Sequence, residues 1–197
     1  MKMSRLEKRL VNRERKAQGN IAKVRERLVE LEGRPIGDAL EIGCGIGTVS
    51  AYLADSHDMN VWGTDFDQGQ VALAQKLHPE HERLHYRVED AASLSFNSES
   101  FDLVLSQNVF HHIPNWNQAI CEIARVLRPT GHLIWFDFAL PRPLKVFLAM
   151  WIRNSGLYTI TDVLGAFAQA HLFERFRERL FHGPFIYGHH MVLEKTV

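Results

Sequence analysis

Short apolar runs alternate with helical apolar patterns along most of the chain. That rhythm predicts a mainly parallel sheet with helices on both faces. The runs place strands near Asp38–Ile42, Asn60–Thr64, Leu84–Val88, Phe101–Ser106 and His132–Asp137. Between them the apolar spacing predicts helices over Thr48–Ser56, Gln68–Leu77 and Trp116–Leu127, the last closed by Arg128-Pro129-Thr130-Gly131 as a stop and turn. After Asp137 the rhythm changes. Pro141 and Pro143 interrupt the chain, and short helices are expected over Leu144–Arg153 and Asp162–Ala170. Phe173–Phe181 and Phe185–Leu193 then read as two strands turned at Gly183-Pro184, an antiparallel hairpin that brings the sheet to seven strands.

The segment before the first strand has a different character. From Ser4 to Leu31 there is no proline, and Leu6, Leu10, Ile21, Val24, Leu28 and Leu31 recur at roughly helical spacing among charged residues. Gly19-Asn20 is expected to divide two helices or bend one, and Gly33-Arg34-Pro35-Ile36-Gly37 ends the helical stretch. Residues 1–33 are therefore read as a basic helical cover and 34–197 as the main domain, with an insertion at about 139–170.

Composition narrows the partners. A chain of 197 residues with 46% hydrophobic content holds one good core. Its net charge is zero, which argues against a nucleic acid as the general partner. Met1–Arg34 nevertheless carries eleven Lys and Arg against five Glu, so the arm is basic and the body correspondingly acidic. The two cysteines, Cys44 and Cys121, suit a reducing compartment, and charges recurring through Met1–Glu32 leave no apolar core for a secretory signal. The strongest apolar run, Val146–Ile152, is far too short to span a bilayer. A cytoplasmic protein is expected, as monomer or homodimer.

The most informative segment is Glu41-Ile42-Gly43-Cys44-Gly45-Ile46-Gly47-Thr48, an apolar strand that runs into a glycine-rich turn and then a helix. Glycines there allow a tight turn and let a ligand lie against the main chain at a helix N-terminus. A dinucleotide fingerprint would place a third glycine at position 48, where this chain has Thr48, and would not require Glu41.

This segment resembles the first motif of class I S-adenosylmethionine-dependent methyltransferases, acidic-x-Gly-x-Gly-x-Gly, and further matches follow in the family's order across Asp38–Asp137. The resemblance implies a Rossmann-like fold and S-adenosyl-L-methionine as cofactor, with S-adenosyl-L-homocysteine as product and no metal. It assigns Glu41, Gly43, Cys44, Gly45 and Gly47 to cofactor binding. Val61-Trp62-Gly63-Thr64-Asp65 matches the strand whose terminal acid holds the ribose hydroxyls, which points to Asp65, with Asp67 as an alternative that also suits a helix N-cap. Phe66 matches the apolar position against adenine. Glu89-Asp90-Ala91 resembles the Asp-Ala pair at the adenine edge, with capping of the next turn as the other reading of Asp90. Phe101–Asn108 matches the fourth motif and brings Gln107 near the methionine part. Arg125-Val126-Leu127-Arg128-Pro129-Thr130-Gly131 matches an architectural segment before the fifth strand.

The loop Val109-Phe110-His111-His112-Ile113 is similar to that of the small-molecule branch and departs from the Asn/Asp-Pro-Pro-aromatic pattern of many enzymes acting on exocyclic amines of bases or glutamine. His111 and His112 are the candidate general bases, with packing or capping as their alternative role. His78, His81 and His85 are split by Pro79 and are not read as a metal site. The insertion carries Leu144, Val146, Phe147, Trp151, Ile152, Leu157 and Tyr158, enough to wall a pocket for a small apolar, aromatic or lipid-like acceptor. Beside the basic arm, it also suits peripheral contact with an anionic membrane surface. An RNA or protein methyltransferase, and a non-catalytic cofactor-binding protein of the same fold, are the alternative functions.

Overall fold

The computed structural model describes residues 14–31, 33–149, 156–181 and 187–196. Seven strands form one sheet: β1 (Asp38–Ile42), β2 (Asn60–Asp65), β3 (Leu84–Val88), β4 (Phe101–Gln107), β5 (Leu127–Ala139), β6 (Leu172–Phe181) and β7 (Tyr187–Lys195). Their spatial order is β3-β2-β1-β4-β5-β7-β6. The first five are mutually parallel, whereas β7 runs antiparallel to both β5 and β6. The helices are α1 (Glu14–Val29), α2 (Thr48–His57), α3 (Gln68–Leu77), α4 (Trp116–Val126), α5 (Arg142–Ala149) and α6 (Ile160–Gln169).

Both faces of the sheet are buried because side chains alternate across each strand. Leu40, Val104, Leu133, Trp135 and Met191 pack toward Ile120 and Ile123 of α4 and Phe167 of α6. Ala39, Val61, Leu105, Ile134 and Val192 pack on the other face toward Val24, Leu53 and Ala74, one residue each from α1, α2 and α3.

Three local expectations change. The N-terminal helix runs unbroken through Gly19-Asn20. A helical glycine costs about 1 kcal/mol relative to alanine, whereas burying one aliphatic side chain stabilises by about 1.5–3 kcal/mol; Val24, fully buried against the body, tips that balance. The extension of this helix before Glu14 lies outside the described residues. Arg128–Gly131 is not a turn ahead of the fifth strand but a bulge inside it. Leu127 already pairs with Phe101, and pairing resumes at Leu103 with His132. Arg128 pins the bulge, its guanidinium lying 2.8 Å from both Asp102 and Asp38. Finally, the first helix of the insertion begins earlier than expected, at Arg142; Trp151, Ile152 and the Gly183-Pro184 turn lie outside the described residues.

Candidate functional site

The order of the sheet reverses between β1 and β4, and ligand crevices in open parallel sheets form outside the carboxyl ends of strands at such a point. The glycine turn after β1 builds one wall. Gly43 and Gly47 sit at φ 73° and 78°, where a side chain is strained, and a Cβ on either would strike Val109 or Tyr86 respectively. The turn is tied to the sheet: the Cys44 amide donates to the Thr64 carbonyl at 2.8 Å, and the Thr64 hydroxyl donates to the Glu41 carbonyl at 2.8 Å.

Asp65, at the end of β2, fixes the tip of the turn. Its Oδ2 accepts from the Gly45 amide at 3.0 Å and its Oδ1 from the Asp67 amide at 2.9 Å. Asp67 caps α3, accepting from the Gly69 amide at 2.8 Å, so the two acids divide their work as a loop clamp and a helix cap. Asp90 accepts from the Ala92 amide at 2.9 Å and therefore does cap the following turn.

These pieces enclose a cavity of about 340 Å3, within the range of small-molecule sites. Glu41, Gly43, Cys44, Gly45, Asp65 and Phe66 border it, as do Asp90, Ala91, Gln107 and His112. Gly47 does not. It stands behind the wall as the N-cap of α2, where the Tyr86 hydroxyl donates to its carbonyl at 3.2 Å. His111 is also off the wall, although its ring centroid lies 4.0 Å from that of His112. Asn20 of α1, Ile113, Pro114 and Asn115 also line it. No spacing or charge pattern marks those four in the sequence.

Burial sets the electrostatics. Glu41 is buried beneath the turn, and loss of water raises its carboxyl to about 7 despite a hydrogen bond from the Ser50 hydroxyl. Burial pushes the Cys44 thiol well above its ordinary value, which leaves it a small neutral residue rather than a nucleophile. Gln107 is only 8% exposed, and neither its amide nitrogen nor its amide oxygen meets a partner among the described residues. A buried amide with no partner is costly unless a ligand supplies one.

Sequence reasoning missed Asp137. Its side chain is fully buried at the end of β5 and accepts from the Phe110 amide at 2.8 Å, the Phe138 amide at 2.8 Å and His111 Nδ1 at 2.7 Å. Within an apolar strand, nothing but a single acidic letter signals it. The histidines near β3 are dispersed: His85 stacks on Trp62 at 4.7 Å, and His81 lies 3.3 Å from Asp55.

Residues 40–135, from β1 through β5, match the family model described as a methyltransferase domain. Over that stretch the chain is a methyltransferase domain of the class I S-adenosylmethionine-dependent kind. It is 36% identical over 110 residues to the phthiotriol/phenolphthiotriol dimycocerosates methyltransferase of Mycobacterium leprae, covering 55% of this chain and 39% of that protein. It is likewise 36% identical over 112 residues to the 2-methyl-6-phytyl-1,4-hydroquinone methyltransferase of a Synechocystis strain, covering 57% and 35%. The chain thus spans well under half the length of these relatives. The methyltransferase fold is shared with the phosphoethanolamine N-methyltransferase 2 of Haemonchus contortus, solved with S-adenosylhomocysteine and phosphomonomethylethanolamine. Its TM-score is 0.72 at 18% identity, over 86% of this chain and 51% of that one.

Proposed function

We propose that this chain transfers the methyl group of S-adenosyl-L-methionine to a small apolar, aromatic or lipid-like acceptor. The observation that carries this reading is the buried amide of Gln107, partnerless among the described residues, on the wall of a cavity bounded by the glycine turn and Asp65. A zwitterionic methionine moiety offers hydrogen-bond donors and acceptors to such an amide. The Asp65 carboxylate borders the same space, and an ionised carboxylate accepts from vicinal ribose hydroxyls through charge-assisted bonds. Phe66, 49% exposed, offers a ring face for the adenine, and Asp90 with the Ala91 amide offers an acceptor and a donor at its edge.

The bound cofactor supplies a methyl already activated by its sulfonium. This chain's contribution is to hold the acceptor in line, exclude water and, for a protonated acceptor, receive a proton. His112 on the cavity wall and His111 behind it are the residues proposed for that last task. The dimycocerosate and phytyl-hydroquinone acceptors in the relatives' names support an apolar acceptor. Among the described residues no helix is long and apolar enough to cross a membrane. Helix α5, however, exposes Val146 and Phe147 beside Arg142, which supports peripheral contact with an anionic lipid surface from the cytoplasmic side. Retention on anionic vesicles at low salt tests that contact.

Calorimetric titration of S-adenosylmethionine, S-adenosylhomocysteine and NAD into the wild type and Asp65→Ala tests the cofactor. Binding of the first two alone, collapsing in the variant, is expected. A folded wild type that binds neither overturns the reading.

A further inference from the structure

The buried carboxylate of Asp137 does not line the cofactor cavity, yet it accepts three hydrogen bonds beside it. It lies on β5, opposite His189 of β7 in the register, and reaches the 3-10 turn Phe110–His112 that follows β4. Its Oδ2 accepts from the Phe110 amide at 2.8 Å, and its Oδ1 accepts from the Phe138 amide at 2.8 Å and meets His111 Nδ1 at 2.7 Å. No Lys or Arg lies within ion-pair distance of it among the described residues. His111 is thus its polar side-chain partner in the turn.

An ionised carboxylate only accepts hydrogen bonds. A 2.7 Å approach by His111 Nδ1 therefore requires Nδ1 to carry the proton, so in the neutral imidazole Nε2 presents the lone pair. The ring has little freedom to turn. It packs against Phe138, with centroids 4.2 Å apart, and His112, at 4.0 Å, and its side chain keeps 18% exposure. The insertion closes over the same turn: the Gly156 amide donates to the His111 carbonyl at 3.2 Å, and a Cβ at Gly156 would strike the carbonyl oxygens of Phe110 and Ile113. Tyr158, two residues on, is buried, and burial followed by the charge of Asp137 raises its hydroxyl well above the ordinary range.

We propose that Asp137 is a positioning residue that fixes the tautomer and orientation of His111, and that His111 Nε2 receives the proton of an acceptor lying between the cavity and the insertion. This inference rests on the methyltransferase reading and deepens it. It selects acceptors that arrive carrying a proton on the reacting atom, a phenol-like hydroxyl or an ammonium. A new bond forms from the acceptor oxygen or nitrogen to the methyl carbon as the carbon–sulfur bond breaks. That bond's electron pair stays on sulfur, and the acceptor's proton passes to Nε2 and then to solvent. A purely structural Asp137, which merely ties β5 to the turn through backbone amides, makes no demand on the tautomer and none on turnover beyond stability.

Two readouts separate these roles. Long-range 1H–15N spectra of histidine-labelled protein, with His111 assigned by its loss in His111→Gln, report the tautomer without any acceptor. The wild type is expected in the Nδ1–H form whenever the ring is neutral. Asp137→Asn, whose amide group can donate to Nδ1, is expected to switch it to Nε2–H. Turnover is then followed with a long-chain alkyl hydroquinone as probe. Asp137→Asn and His111→Gln should each lose at least 100-fold in kcat while keeping S-adenosylhomocysteine affinity within threefold. An Nε2–H ring in the wild type, or turnover within threefold of wild type in a folded His111→Gln, overturns the proposal. If the wild type binds cofactor but methylates no probe, the acceptor reading fails by itself and the wild-type tautomer still decides the role of Asp137.

Discussion

Asp65 reaches back across twenty residues to accept the amide of Gly45 at 3.0 Å, so the end of β2 holds the tip of the turn that follows β1. One side chain thereby both shapes the glycine turn and borders the cavity. Asp65→Asn keeps the size and one acceptor oxygen but loses the charge. S-adenosylmethionine affinity should fall at least 30-fold while the melting temperature drops by only a few degrees. Asp65→Ala also releases Gly45 and Asp67, and because a hydrogen bond to a charged group contributes about 1.5–3 kcal/mol, its loss of stability should be clearly larger. Calorimetry and thermal unfolding of both variants check the ordering.

Gly47 predicts a different kind of failure. Gly47→Ala places a Cβ against the Tyr86 ring at a backbone angle that costs a non-glycine residue about 1–2 kcal/mol. The nearest atom it meets is the Tyr86 hydroxyl oxygen. Tyr86→Phe in the Gly47→Ala background should therefore recover part of the lost stability in urea unfolding. No recovery would mean that backbone strain and the ring carbons, which Phe retains, decide the cost.

Much of this arrangement is legible in the sequence because it is local. The strand-turn-helix around Gly43 to Gly47 is written in consecutive residues, and the acids after β2 and β3 follow at family spacings. What stayed hidden is relational. Whether His111 or His112 faces the cavity depends on the rotational phase of a 3-10 turn, and Asp137 acquires its partners in that turn only when β5 lies beside β4. The bulge at Arg128–Gly131 was invisible for the same reason: Leu127 resembles a helix terminus until Phe101 is placed opposite it. Gly19-Asn20 misleads in the other direction, since a local break signal is overridden by the burial of Val24.

Two buried titrating groups act on stability with opposite signs. Burial raises Glu41 to about 7, so between pH 4.5 and about 7 the folded chain holds a proton that the unfolded chain has released, and stability falls as pH rises. Burial, followed by Arg177 and Arg179, lowers His189 to about 4. Between about pH 4 and 6.5 the unfolded chain holds the extra proton, and stability falls as pH falls. Each contribution is at most about 3 kcal/mol at 1.36 kcal/mol per pKa unit. The wild type should therefore show a shallow stability profile between pH 4.5 and 6.5. Glu41→Gln should tilt it upward with pH and His189→Phe downward, as read by chemical denaturation at several pH values.

Gln107 gives the sharpest contrast between folding and function. Both polar atoms of its amide are buried without a partner among the described residues, and an unsatisfied buried group costs about 1–3 kcal/mol. Ser106 Oγ, on the adjacent residue, also meets no partner among the described residues, but Ser106 does not line the cavity. Gln107→Leu removes the orphaned atoms at similar volume. It should make the ligand-free protein about 1 kcal/mol more stable while weakening S-adenosylmethionine at least tenfold. Stability that rises while cofactor affinity holds would release the amide from any role in binding. Stability that falls would mean that the amide is satisfied by water in the free protein, and the affinity change would then measure the exchange of that water for the cofactor.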